Sequence, residues 1–74
     1  METIDILVFK TNILVQDEVS LVKQYLHAHS LILACNVDLD DCDKVLRIES
    51  SGVRPGQIID QVTTLGFHCE ELLD

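Results

Sequence analysis

Seventy-four residues, 47% of them hydrophobic, with 13 acidic against 5 basic side chains and a formal net charge of −8, supply one small core and not two. The five cations, Lys10, Lys23, Lys44, Arg47 and Arg54, are dispersed along the chain, so the gathered positive surface that nucleic acid or an anionic membrane demands is missing and neither partner is expected. No run of ~20 apolar residues can cross a bilayer, and three cysteines without paired spacing make no disulfide framework.

No basic segment follows Met1, since Glu2 and Asp5 come first, so no signal peptide is read. With the cysteine usage this gives a reducing, cytoplasmic expectation. The acidic surplus keeps an apolar-rich domain soluble and fits a basic or neutral protein partner, or none. One domain is expected over residues 1–74.

Ile4 to Phe9 is apolar and β-rich and predicts a first strand, bounded by Lys10-Thr11-Asn12. Val15, Val19, Val22 and Leu26 then recur at helical spacing, predicting a helix over Leu14–Ala28 with Asp17, Lys23 and Gln24 on its far side. Thr11 or Asn12 is expected to cap its first amides, and Asp17 and Glu18 complement its positive end.

In Leu31–Leu39, Cys35, Val37 and Leu39 alternate with Ala34, Asn36 and Asp38, the pattern of a strand with one buried face. Asp40-Asp41-Cys42-Asp43 predicts a tight acidic turn into a partner strand, Lys44–Glu49, with Leu46 and Ile48 facing inward. Ser50 to Val53 reads as a loop. Arg54-Pro55-Gly56 opens a second helix with proline in its first turn, and Ile58, Ile59, Val62 and Leu65 form its stripe. Gly66 stands where a left-handed residue ends the helix, before a last strand over Phe67–Leu72.

The order β-α-β-β-α-β predicts an α+β, ferredoxin-like sandwich: a four-stranded antiparallel sheet with two helices on one face and the other face open. By alternation Ile6 and Val8 are placed toward the helices with Leu46 and Ile48. That leaves Leu7, Phe9, Val45 and Arg47 on the open face as the expected interaction surface, with the Lys10–Ile13 loop as the alternative.

Over nearly its whole length the chain resembles the heavy-metal-associated domains, the fold of small copper chaperones and of the N-terminal modules of metal-pumping ATPases. Val37-Asp38-Leu39 is similar to that family's Val-Asp-Leu strand end, and Leu65-Gly66-Phe67 to its Gly-Tyr or Gly-Phe entry to the final strand. Val19, Val22 and Leu26 fall where the family's first helix is apolar. The resemblance implies a loop after the first strand in which two cysteines bind Cu(I) or another soft ion as thiolates. Alignment on the first helix puts Asn12 and Val15 at those two positions, and no one-residue shift of the first strand brings a cysteine there. An amide oxygen is a hard, neutral ligand and valine has no donor, so metal binding is not expected and no cofactor is assigned.

Other donors are expected to be structural. Cys35 and Cys69 read as small core residues. Cys42, with Asp40, Asp41 and Asp43, offers hard and soft donors mixed, a poor metal site. His27 and His29 are two residues apart and point ~200° apart on a helix, so they cannot chelate together. His68, outward between Phe67 and Cys69, is the remaining ligand position near the first loop. Acylphosphatases share the topology, but their catalytic arginine cradle has no counterpart in Lys10-Thr11-Asn12-Ile13, and Gly52, Gly56 and Gly66 make no phosphate-binding cluster. No catalytic residue is assigned and no enzyme activity is expected.

Two function classes follow: a metal-free, heavy-metal-associated-like interaction or regulatory module with a protein partner or a second copy of itself, and, as the alternative, a small-ligand or weak metal-binding module, either an ACT-like sensor or a degenerate metal chaperone.

Overall fold

The computed structural model describes residues 3–72; the expected domain, 1–74, runs past them at both ends. Six elements follow in the expected order: β1 (Asp5–Thr11), α1 (Gln16–His27), β2 (Ile32–Asp38), β3 (Val45–Ser50), α2 (Pro55–Thr64) and β4 (Cys69–Glu71). The sheet is antiparallel in the order β2-β3-β1-β4, so the long hydrophobic strand β1 lies between β3 and β4. The βαββαβ sandwich expected from the sequence is the fold observed.

The core lies between the sheet and the two helices. Val19, Val22 and Leu26 of α1 and Ile58 and Val62 of α2 close over Phe9, Cys35, Leu46, Ile48 and Cys69 of the strands. These buried residues belong to the stripes read from 3.6-residue spacing; Val15, counted in the first stripe, instead precedes α1 and is exposed. Proline occupies the first turn of α2, and Gly66 adopts φ +97° just past its end, a conformation that a Cβ would strain.

Three local expectations change. Lys10 and Thr11 belong to β1, because they pair with Glu70 and Cys69 of β4. Neither Thr11 nor Asn12 caps α1, which begins after Val15; instead Glu18 reaches back, its Oε1 accepting the N–H groups of Leu14 at 2.9 Å and Val15 at 3.2 Å. The last strand is shortened to Cys69–Glu71, since Phe67 and His68 are still part of the turn out of α2.

The faces of β1 are the reverse of those expected. Phe9 is fully buried, whereas Ile6 is 45% exposed. Phe9 pairs with Leu46 and Leu7 with Ile48, and residues directly opposite on neighbouring strands share a face, so Leu7 and Phe9 point to the helices. Ile6, paired with Glu49, and Val8, paired with Arg47, lie on the open side. The physical reason is that β1 is apolar on both faces, so alternation alone does not choose. Burying the phenyl ring removes more apolar surface from water than burying valine does.

Candidate functional site

The loop between β1 and α1 is held by its own side chains. Ile13 is fully buried and pulls the backbone down onto the core. Just before it, the buried Thr11 hydroxyl donates to the Lys44 carbonyl at 2.6 Å and accepts the Ile13 N–H at 3.3 Å, while the Thr11 N–H donates to the Asp43 carbonyl at 3.0 Å. These bonds tie the loop to the β2–β3 hairpin. Lys44, at φ 46°, closes that hairpin and donates its Nζ to the Leu39 carbonyl at 2.7 Å. On the other side, Asn12 Oδ1 accepts the His68 N–H at 2.8 Å, joining the loop to the approach to β4. Leu14 and Val15 project into solvent.

The two positions that the resemblance assigns to thiolates therefore hold an alkyl side chain without a donor, Val15, and a carboxamide whose oxygen already has a backbone partner, Asn12. His68, the remaining ligand position, and the neighbouring Cys69 do not complete a site. His68 is exposed and its Nε2 sits 3.3 Å from Glu70 Oε2. Cys69 stands opposite Thr11 on the inner face, where burial pushes its thiol up to about 11; at neutral pH it is a protonated core residue and not a thiolate. These residues do not fit a soft metal ion.

Cys35 is likewise in the core. Burial pushes its thiol up to about 11, outweighing the opposite pull of the Lys23 charge. Cys42 is exposed in the hairpin turn, and its sulfur and the carboxylates of Asp41 and Asp43 lie within 4.8 Å of one another. Those carboxylates already serve the turn: Asp41 Oδ1 accepts the Asp43 N–H at 2.8 Å, and Asp43 Oδ1 lies 3.7 Å from Lys10 Nζ. His27 ends α1 and His29 lies beyond it, its Nδ1 accepting the Leu31 N–H at 3.2 Å. No ligand-sized cavity lies among the described residues.

The open sheet face keeps half of its expected membership. Val45 and Arg47 alternate with the buried Leu46 and Ile48 and lie on it; Leu7 and Phe9 do not. Their places are taken by Ile6 and Val8, with Ala34, Asn36 and Asp38 from β2. Sequence reasoning missed Leu33. An extra residue at this point, between the pairs Ile32↔Ser50 and Ala34↔Glu49, interrupts the β2 ladder and leaves Leu33 50% exposed. It also missed Leu21 and Tyr25, four apart on α1 and exposed; their place off the buried stripe was the available signal.

No protein-family model matches the chain, and no curated protein matches it in sequence. Solved structures do match in shape. The copper(I)-loaded first domain of the human copper chaperone for SOD1, CCS, superimposes with a TM-score of 0.78 over 93% of each chain at 16% identity. The apo HMA domain of a copper chaperone for superoxide dismutase gives 0.80 over 99% of this chain and 71% of that one at 15% identity. The yeast copper transporter domain Ccc2a, solved in apo and Cu(I)-loaded states, gives 0.81 over 93% of this chain and 96% of that one at 17% identity. At such identities the likeness is one of architecture: the chain has the fold of the heavy-metal-associated domains.

Proposed function

We propose that this chain is a non-catalytic, metal-free interaction module that keeps the heavy-metal-associated scaffold and presents its open sheet face to a protein partner in the cytoplasm. The observation that carries the reading is the chemistry of the β1–α1 loop. Asn12 and Val15 stand where soft-metal ligands would, and the Asn12 carboxamide is engaged by the His68 N–H. The loop is thus closed by hydrogen bonds internal to the protein, and copper carriage by the structurally similar proteins does not pass to it.

Three further observations support the reading. The exposed Ile6 and the half-buried Val8 give the open face an apolar centre. Every cysteine is a free thiol, in keeping with a reducing compartment. Among the described residues no helix is long and apolar enough to cross a membrane.

A Cu(I) competition titration tests it. The wild-type chain should bind copper no more tightly than a single surface thiol, with any weak binding lost in Cys42→Ser and unchanged in Cys69→Ser. Tight one-to-one binding that disappears in Cys69→Ser would overturn the metal-free reading.

A further inference from the structure

The open face carries charges of both signs in an order that a two-fold axis would match. One cross-strand row consists of Asn36, Arg47 and Val8, and the next consists of Ala34, Glu49 and Ile6. The rows lie two residues apart along β3, about 7 Å. Arg47 is exposed at the middle of one and Glu49 is half-buried at the middle of the other. Among the described residues the ion pairs are Lys10–Asp43 and His68–Glu70, and neither Arg47 nor Glu49 takes part in one. A cation and an anion thus stand at the middle of these two rows, each without an ion-pair partner among the described residues.

We propose that the open face is the contact between two copies of this chain, packed sheet on sheet about a two-fold axis that lies in the interface, runs across the strands and passes level with Ile48. The proposal rests on the interaction-module reading and names its partner. Such an axis exchanges the two rows. Arg47 of each copy meets Glu49 of the other, Val8 packs on Ile6, and Asn36 lies over Ala34. Every contact occurs twice, as a two-fold interface requires, and two sheets ~10 Å apart leave room for the Arg and Glu side chains to meet.

Charge complementarity selects a second copy over a different protein. A uniformly basic partner face would be opposed by Arg47 and a uniformly acidic one by Glu49 and Asp38, while the net charge of −8 on each copy adds a long-range repulsion that salt screens. A surface that bears both signs in exchangeable rows is complementary to itself. The face is small, roughly 20 by 23 Å from strand spacing and length. That falls short of the ~800 Å² per partner of a standard interface, so the dimer is a weak, concentration-dependent one.

Sedimentation equilibrium over a range of chain concentrations tests the proposal. The wild-type mass should rise toward twice the chain mass. Arg47→Glu alone and Glu49→Arg alone each place like charges opposite one another and should weaken association at least ~tenfold. An equimolar mixture of the two single variants restores both pairs, because each copy then supplies the charge that the other lacks, and should regain the wild-type mass. Circular dichroism checks that both variants fold. Should either fail to fold, Arg47→Ala and Ile6→Lys replace them, and each should lower the mass reached at a given concentration, Ile6→Lys the more.

A wild-type chain that stays monomeric throughout, or a dimer that the single variants leave intact, overturns the proposal. So does a mixture that remains monomeric. None of these results touches the metal-free reading, which stands or falls with the copper titration.

Discussion

Asn12 and His68 are 56 residues apart, yet the side-chain oxygen of the first accepts the backbone N–H of the second at 2.8 Å. The bond joins the end of β1 to the approach to β4 at one end of the sheet, beside the entry to α1. It holds the loop by a fixed protein contact at a position where the resemblance implied a metal thiolate.

Removing that contact should have a modest, readable cost. Asn12→Ala is expected to lower unfolding stability by about 0.5–1.5 kcal/mol, the usual net value of one hydrogen bond, whereas Asn12→Asp keeps the acceptor and should lose less. Urea denaturation measures both. Equal losses in the two variants would show that the carboxamide does not act through its oxygen.

Asn12→Cys combined with Val15→Cys should create a soft-metal site, since both positions are exposed and lie just before the N-terminus of α1, whose dipole favours thiolates. The double variant should be slightly less stable than wild type without metal and regain stability with Cu(I), by mass action. A folded double variant that takes up no copper would show that the loop backbone cannot bring the two sulfurs to one ion.

The faces of β1 can be tested by truncation. Phe9→Ala empties a fully buried site and should cost about 3–5 kcal/mol, enough to unfold much of the population of a small domain. Val8→Ala, on the open face, should cost less than about 1.5 kcal/mol. Comparable losses at the two positions would contradict the observed register of Phe9 with Leu46.

Thr11→Val keeps the shape of a buried side chain but removes the hydroxyl that links the Ile13 N–H to the Lys44 carbonyl. A loss of about 1–3 kcal/mol is expected, because both groups lose a partner in a largely buried place. Hydrogen exchange should accelerate selectively at Ile13. Unchanged protection there would show that the hydroxyl does not hold the loop.

Alkaline pH should destabilise the protein. Burial raises the Cys35 and Cys69 thiols from 9.0 to about 11, so between those values the folded chain retains protons that the unfolded chain has released. Stability contributed by the protonated thiols is complete below pH ~9 and falls by up to about 1.4 kcal/mol per pH unit for each as pH rises toward 11. Denaturation midpoints across that window measure the slope. At pH 8 a thiol reagent should label Cys42 quickly and the other two only on unfolding; rapid labelling of all three would contradict their burial.

The sequence by itself determined the element order, the buried helix residues Val19, Val22, Leu26, Ile58 and Val62, the inward set Cys35, Leu46 and Ile48, the glycine at φ +97° after α2, and the residue types at positions 12 and 15. Those features are local: each depends on periodicity, turn chemistry or the identity of a single residue. Tertiary structure decided what depends on pairing at a distance. Ile6, Leu7, Val8 and Phe9 are all apolar, so only the register of Phe9 against Leu46 chooses the face of β1, and a shift of one residue would reverse it. The extra residue at Leu33 is visible only against the β3 ladder. Asn12 finds its partner only because antiparallel pairing of Thr11 with Cys69 carries His68 to the loop. Pairing of β3 with β1 and β2 likewise decides the neighbours of its two charges, setting Val8 and Asn36 beside Arg47 and Ile6 and Ala34 beside Glu49, the rows on which the proposed self-contact rests.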